Sequence, residues 1–384
     1  MKRLFIEPLD VLMFRSERPF VARESHVAKL GVISPLTFEG AIKSKILLDF
    51  CEKRNYYSPS DFQRVRKREE TEEEFKISLE NLKKDVKEKV EEDCELKELL
   101  ETIGYSPLGY PPKLNVVGVF FSRRERIKEY FPVPKDIVRT DDGKETLKLN
   151  PVLDEGLKIP GTEEHLCVSS YSKVEEVGGL ISFDTLAKYL KGEKPSKSEI
   201  LPYPYKKEIR AGIKLEKHRK VTVEGHLYTA EFLRLEEEWG FVVWIEDEYN
   251  LIDKHLGSNG DKTIIRLGGE GKGAICKRIE DINLVEKLKL QELIKEVNSE
   301  RKFKLYLATS THLNGYKPPK DLEEELKKEL GVNDLQLVTS LPGKPIYVGG
   351  YDFAVNKEKP LQRWVDAGAV YYYKFEGKIK EDLD

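Results

Sequence analysis

The order of strand and helix signals is the feature that most restricts the fold of this chain of 384 residues. The first fifty residues read as a short strand at 3–7, a long irregular stretch and a helix that begins near Ser34. From about residue 207 onward strand signals dominate, and helical segments interrupt them at 284–299 and 320–330. Strict alternation of strands and helices is absent, which disfavours a doubly wound parallel sheet. The sequence therefore predicts an α+β protein.

Composition along the chain divides it into two predicted domains. Prolines 195, 202 and 204 mark a linker, so we expect an N-terminal domain over 1–205 and a β-rich C-terminal domain over 206–384. Residues 54–103 are crowded with Arg, Lys and Glu, and their apolar positions recur at helical spacing: Phe75, Leu79, Leu82, Val86 and Val90. We interpret 54–103 as a charged helical insertion packed by one stripe, with a coiled-coil contact as the alternative. Residues 139–163 are predicted to be loop.

Charge and composition exclude several classes of protein. Sixty-six Lys and Arg against 69 Asp and Glu leave a formal charge of −3, which excludes a uniformly basic nucleic-acid binder but leaves room for a local basic groove. No apolar run approaches the roughly 18 residues of a membrane helix, and the first residues lack the apolar region of a signal peptide, so we expect a cytoplasmic protein. The cysteines form no CxxC pair, which argues against a zinc site or a disulfide framework.

The sharpest local motif is a glycine-rich loop over 268–273, which contains Gly268, Gly269, Gly271, Lys272 and Gly273. Such a loop allows positive φ angles, and its successive N–H groups can form an anion-binding nest to which Lys272 adds charge. The spacing does not fit a Walker loop. It fits a dinucleotide fingerprint only formally, because the residues that follow read as a strand instead of the required helix. Contact with a phosphate backbone and a plain hairpin tip both remain open.

Three basic segments are further candidates for phosphate contacts, with a solvated surface as the alternative for each. The first is the long loop, with Arg15, Arg18, Arg23, His26 and Lys29. The second is Lys43 and Lys45, which open the helix that follows, where backbone amides also attract anions. The third lies at the start of the β-rich half and consists of Arg210, Lys214, Lys217, His218, Arg219 and Lys220.

Catalytic chemistry has little support in the sequence. No nucleophile elbow, HExxH motif or paired His/Cys set is present, and the six histidines are scattered. His26 could serve as a general base, since imidazole titrates near neutrality. Tyr371, Tyr373 and Phe375 alternate along the last strand, which is the pattern of a core strand and, alternatively, of a base-stacking surface.

Motifs in a fixed order occur at both ends and in the middle of the chain. They are residues 5–15, 18–20, 34–42, 208–213, 224–228, 232–234, 267–270, 343–345, 349–352, 359–360 and 367–371, beginning with FIEPLDVLMFR and including SPLTFEGAI and LGGE. This ordered set resembles the RAMP superfamily of CRISPR proteins, and more narrowly the third-subunit family of the Cmr (type III-B) effector complex. Neither 54–103 nor 139–165 carries a motif of that family.

The resemblance implies two ferredoxin-like (RRM-like) domains with inserted loops. It implies a non-catalytic subunit that binds the 5′ tag of a guide RNA and contacts the large polymerase-like subunit and a neighbouring RAMP backbone subunit, with no cofactor, metal or membrane. The expected RNA-binding residues are Arg15, Arg18, Arg23, His26, Lys43, Lys45, Arg210, Gly268, Gly269, Gly271, Lys272 and Gly273. Two alternatives remain open: a metal-independent RAMP endoribonuclease with His26 as base, and a nucleotide-binding enzyme that uses the loop 268–273.

Overall fold

The structure is a computed structural model that describes residues 1–14, 27–66, 70–154, 156–170, 173–215 and 222–380. Helices and strands are both well represented, so the predicted α+β class is confirmed. The helices are α1 Pro35–Arg54, α2 Glu72–Glu92, α3 Cys94–Ile103, α4 Phe183–Leu190, α5 Leu251–His255, α6 Leu284–Lys287, α7 Leu290–Glu300 and α8 Lys320–Leu330.

The strands are mostly short and antiparallel. They are β1 Lys2–Pro8, β2 Val27–Ala28, β3 Leu114–Arg123, β4 Tyr130–Pro132, β5 Ile137–Thr140, β6 Thr146–Lys148, β7 Asn150–Pro151, β8 Cys167–Val168, β9 Val174–Glu176, β10 Leu180–Ser182, β11 Ile200–Leu201, β12 Tyr205–Leu215, β13 Thr222–Leu235, β14 Trp239–Asp247, β15 Lys262–Arg266, β16 Gly273–Ile279, β17 Lys302–Tyr306, β18 Asp334–Leu341, β19 Ile346–Asp352, β20 Lys357–Trp364 and β21 Val370–Glu376. The predicted loop at 139–163 thus contains β6 and β7.

The chain forms two compact units, each assembled from three segments. The first unit comprises Met1–Val119, Tyr205–Asp281 and Tyr347–Gln362, and the second comprises Phe120–Pro204, Ile282–Ile346 and Arg363–Asp384. The sequence predicts two consecutive domains, 1–205 and 206–384, whereas the chain crosses between the units five times. One of these crossings, between Pro204 and Tyr205, lies one residue before the predicted boundary.

An antiparallel sheet in the strand order β14-β1-β16-β15 lies at the centre of the first unit. Helix α1 begins after Ser34, where the sequence predicts its start, and the Ser34 hydroxyl accepts the N–H of Leu36. Phe38 of α1 is fully buried, with its ring centroid 5.2 Å from that of Phe241 in β14. The apolar stripe of α1, which also carries Ile42, therefore packs against strands of the sheet.

The predicted helical segment 54–103 contains α2 and α3. Helix α2 starts with a capping box between Thr71 and Glu74, and the last three residues of the predicted stripe, Leu82, Val86 and Val90, are buried. These residues lie four positions apart and face the same side of the helix. The remainder of α2 is largely exposed and charged, as expected for a helix that packs by one stripe.

One buried arginine joins the insertion to the hairpin formed by β19 and β20. The Nε atom of Arg64 donates to the carbonyl of Val355 at 2.7 Å, and its Nη1 lies 2.5 Å from Glu70 Oε1. The guanidinium also stacks on the ring of Phe75, 4.4 Å from its centroid. Only 3% of Arg64 is exposed, so these contacts, and not water, stabilise its buried charge.

Strand β21 lies at the centre of the sheet β17-β21-β18 in the second unit. Tyr371, Tyr373 and Phe375 are 0%, 1% and 5% exposed. The rings of Phe303 and Tyr373 are stacked with their centroids 5.3 Å apart. These aromatic residues thus belong to the hydrophobic core, and the core-strand interpretation holds over base stacking.

A buried ionic cluster surrounds Asp136 in the second unit. Its carboxylate accepts hydrogen bonds from Tyr189 Oη at 2.8 Å and Tyr372 Oη at 2.7 Å, and Lys304 Nζ lies 3.3 Å away. The ammonium of Lys304 also lies 3.7 Å from the centroid of the Tyr189 ring. Burial lowers the pKa of Lys304 to about 8, although the Asp136 carboxylate opposes this shift.

Candidate nucleic-acid interface

The glycine-rich loop is the tip of the hairpin that joins β15 to β16. It is closed by the N–H of Leu267, which donates to the carbonyl of Lys272 at 2.7 Å. Gly268, Glu270 and Gly271 have φ angles of 75°, 61° and 57°. A strand follows this loop, as predicted, so it lacks the helix N-terminus that a dinucleotide site requires.

This hairpin tip is docked on the segment that follows β1. The N–H of Gly269 donates to the carbonyl of Met13 at 2.7 Å, and the N–H of Leu9 donates to the carbonyl of Gly273 at 3.0 Å. A Cβ atom on Gly268 would lie 2.5 Å from the oxygen of Met13. Because the N–H of Gly269 is already bound within the chain, the glycines serve this close approach of two backbones more directly than they serve an anion nest.

Residues 9–14 also pair with β13, so three distant parts of the chain meet here. The backbone of Leu12 exchanges hydrogen bonds of 2.8 and 2.9 Å with Leu233. On the other side of the segment, Val11 and Met13 are buried together with Phe232. Burial of these side chains stabilises the contacts that the segment 9–14 makes with β13 and with the loop 268–273.

Phe232 brings two of the predicted phosphate-binding cations to one place. The Cζ atom of Arg210 lies 5.4 Å from the centroid of the Phe232 ring, and the Nζ atom of Lys272 lies 5.3 Å from it. Both distances are within the range of cation–π attraction. In the described part of the chain, no carboxylate lies within ion-pairing distance of Lys272, so its charge is available to a ligand.

Arg210 belongs to a surface ring of four charged side chains. Its Nε atom lies 2.7 Å from Glu208 Oε1 and its Nη2 atom 3.0 Å from Asp10 Oδ2. Arg234 Nη2 lies 3.1 Å from Asp10 Oδ1, and Arg234 Nε binds the second oxygen of Glu208. Hydrogen bonds from Arg234 and then Arg210 lower the pKa of Glu208. Burial alone would raise the pKa of Asp10, but hydrogen bonds from Arg210, from the backbone of Val11 and from Arg234 outweigh it and lower that pKa.

The predicted basic loop, with Arg15, Arg18, Arg23 and His26, lies outside the described residues. The two residues that flank it belong to this same region. The carbonyl of Phe14 accepts the N–H of Gly31 at 2.8 Å, and β2, which begins with Val27, pairs in parallel with β13. The described residues on either side of the basic segment are therefore held by backbone contacts, Phe14 with Gly31 and Val27 with β13.

The prediction that Lys43 and Lys45 open a helix is wrong. Helix α1 begins at Pro35, so these lysines are its ninth and eleventh residues and lie away from the free N–H groups of its first turn. Lys43 Nζ lies 2.6 Å from Glu39 Oε1, an i,i+4 pair within the helix. Burial lowers the pKa of Lys43 against the opposing charge of Glu39. The sequence placed the helix start correctly but misassigned these lysines to its first turn.

The structure thus brings together Arg210 and the loop 268–273, and it adds residues that were not among the predicted site residues. These are Phe232, Arg234, Asp10 and Glu208. A usable signal was present, because Glu208 and Arg210 alternate on β12, as Phe232 and Arg234 do on β13, and alternate residues share one face of a strand.

The described residues include a buried histidine that is paired with a carboxylate. His255 Nδ1 lies 2.8 Å from Asp49 Oδ2, but this histidine is 6% exposed, and burial lowers its pKa. No group of three or more His, Cys, Asp or Glu side chains in that part of the chain could hold a metal ion. All four cysteines are described, and they form no disulfide. None of the described helices is long and apolar enough to span a bilayer.

Comparison with known proteins gives one family match and several matches to solved structures. The family model described as CRISPR-associated protein (Cas_Cmr3) matches residues 4–384. A cryo-EM structure of a type III-B Cmr-beta complex bound to cognate target RNA and AMPPnP contains a chain of 16% identity and TM-score 0.47, with 96% of this chain and 86% of that chain covered. A chain of the Csm3–Csm4 subcomplex of a type III-A complex has 12% identity and TM-score 0.35, with 99% and 95% covered. A search of curated protein sequences found no match.

Proposed function

Since the chain belongs to the Cas_Cmr3 family of CRISPR-associated proteins, we propose that it is a non-catalytic subunit of a type III-B CRISPR ribonucleoprotein and holds the 5′ tag of the guide RNA. The family match confirms the resemblance identified in the sequence. The proposal also includes two ferredoxin-like domains, contact with the large polymerase-like subunit and with a neighbouring RAMP backbone subunit, and a role in antiviral defence in the cytoplasm.

The observation that carries the RNA-binding role is the meeting of basic elements at Phe232. Lys272 and Arg210 both lie over this ring, and Val27, the first described residue after the basic segment 15–26, pairs with Thr229 of the strand that carries Phe232. A polyanion that binds here would meet cations from two separate segments of the chain, β12 and the loop 268–273. Lysine and arginine at such a surface bind phosphates without reading the base, which suits a subunit that holds an RNA end in a fixed place.

The first experiment measures guide-RNA affinity in the reconstituted effector as a function of salt. We expect Lys272→Ala combined with Arg18→Ala to weaken binding, and to reduce the slope of log K against log[salt] by about 0.7 for each phosphate of the single strand that the variant no longer neutralises. Lys262→Ala is the matched control, because Lys262 is exposed at the opposite end of the same hairpin. Unchanged affinity and slope in the double variant would contradict the assignment.

A second experiment separates binding from catalysis. Purified protein is incubated with labelled repeat RNA in the absence of metal, with His26→Ala as the comparison. We expect the RNA to remain intact with both proteins. Cleavage that His26→Ala abolishes would instead identify the chain as an endoribonuclease, and turnover of a nucleotide bound at 268–273 would identify a nucleotide-binding enzyme.

A further inference from the structure

We propose that Arg210 and Arg234 form a second phosphate-binding site, in which Asp10 and Glu208 take the place of RNA phosphates until the RNA binds. This inference rests on the proposed function, because it describes how the same surface binds RNA phosphates and how its own carboxylates compete with them. It concerns the ring of four charges described above, to which the sequence contributed only Arg210 as a candidate.

The geometry of the ring matches what a phosphate group requires. Each arginine directs its Nε atom to Glu208 and its Nη2 atom to Asp10, so two planar guanidinium groups present donors to the same pair of anions. The arginine fork binds carboxylate and phosphate oxygens in the same way. A phosphate that replaces either carboxylate would therefore meet donors from both arginines.

The exposure of the ring makes such an exchange possible. The side chains of Arg210 and Arg234 are 35% and 46% exposed, and those of Asp10 and Glu208 are 47% and 29% exposed. By contrast, Arg278 in the same unit is 5% exposed and is bound by two carboxylates. Removing a partner from a buried arginine leaves an unpaired charge, whereas exposed ion pairs exchange readily with solvent and with other ions.

The position of the ring connects it to the proposed RNA-binding surface. Arg210 and Lys272 both lie over the ring of Phe232, and Arg210 shares its carboxylates with Arg234. Arg210 is thus connected to Lys272 through the Phe232 ring and to Arg234 through the shared carboxylates. The two arginines and the two carboxylates have a formal charge of zero, so a phosphate meets the full attraction of the arginines only where it takes the place of a carboxylate.

This arrangement predicts that removing a negative charge strengthens RNA binding. We expect Asp10→Asn and Glu208→Gln each to tighten binding of the guide RNA to the reconstituted effector about fivefold at low salt, since an ion-pair contact in water is worth roughly this factor. The gain should shrink as salt rises and screens exposed charges. Arg234→Ala should weaken binding and lower the salt slope by about 0.7. Glu246→Gln, at an exposed position on β14, is the matched control.

The outcomes separate this inference from the proposed function. Melting temperatures are measured for every variant, and the near-isosteric amide variants keep the test valid if an alanine variant fails to fold. Weaker binding by Arg234→Ala together with tighter binding by both amide variants supports the exchange. Amide variants that bind no more tightly than Glu246→Gln overturn it, and so does Arg234→Ala with unchanged binding. Neither of these results affects the proposed function, which the Lys272 and Arg18 variants test.

Discussion

Substituting Gly268 by alanine is expected to detach the glycine-rich loop from the segment on which it is docked. Gly268 has φ 75° and ψ −169°, a region that is essentially restricted to glycine and costs other residues about 1–3 kcal/mol. The new Cβ would also lie 2.5 Å from the backbone oxygen of Met13, which cannot move aside as a side chain would. Relief requires breaking the hydrogen bond from Gly269 to Met13, worth about 1 kcal/mol. The opening free energy of the hairpin should therefore fall by about 2–4 kcal/mol.

Hydrogen exchange of the amides in β15 and β16 measures this loss directly, because it reports local opening within a protein of two units. Gly271→Ala is the matched control: Gly271 also has a positive φ, 57°, but its nearest neighbour is Arg266 Cδ at 4.0 Å. The control should cost about 1 kcal/mol from the backbone conformation alone. If the two variants lose equal protection, the close approach to Met13 is not what requires glycine at position 268, and this reasoning is refuted.

Two further predictions concern buried charges. Arg64→Ala should destabilise the first unit by about 3–5 kcal/mol in urea unfolding, because it leaves Glu70 without its buried partner. Arg66→Ala, at an exposed position, should change the free energy of unfolding little. Equal effects of the two substitutions would contradict the structural role of Arg64. The pKa of Lys304 is about 8 in the folded protein and 10.5 in the unfolded chain. Between these pH values the unfolded chain binds more protons than the folded protein, so this lysine makes stability rise from about pH 8 towards pH 10.5. Lys304→Met should abolish that rise relative to the wild type in melting curves recorded from about pH 7 to 10, and an identical pH dependence in both proteins would refute it.

Local sequence patterns predicted most of the individual elements. The apolar stripe of α2 and the start of α1 near Ser34 depend on residues within one or two turns of each other, and both are present in the structure. Strand β20 was not predicted, because seven of its eight residues are exposed and it contains Pro360, so it has neither an apolar alternation nor a favourable strand composition. Strand β20 is stabilised by its pairing with β19 and not by the strand preference of its own residues.

The candidate site was only partly predictable. Glycine spacing and positive charge identified the loop 268–273 and Arg210, but charge alone could not distinguish an exposed cation from a paired one. The ion pair of Lys43 with Glu39 and the carboxylates that engage Arg210 became visible only with side-chain geometry. Phe232 lies in one of the family motifs. Its ring contacts both Arg210 and Lys272, and Lys272 is forty positions away in the sequence, so this contact could not be predicted from local pattern.

The order of amino acids was sufficient for the local elements, the α+β class and, through its ordered motifs, the family. Three-dimensional packing was needed to establish how segments near residues 10, 210, 232 and 270 converge, and how the chain passes five times between two units. The difference arises because helix caps and periodic stripes are encoded by neighbouring residues. The partners of a strand or of a charged side chain are selected instead by burial and hydrogen bonding across the whole chain.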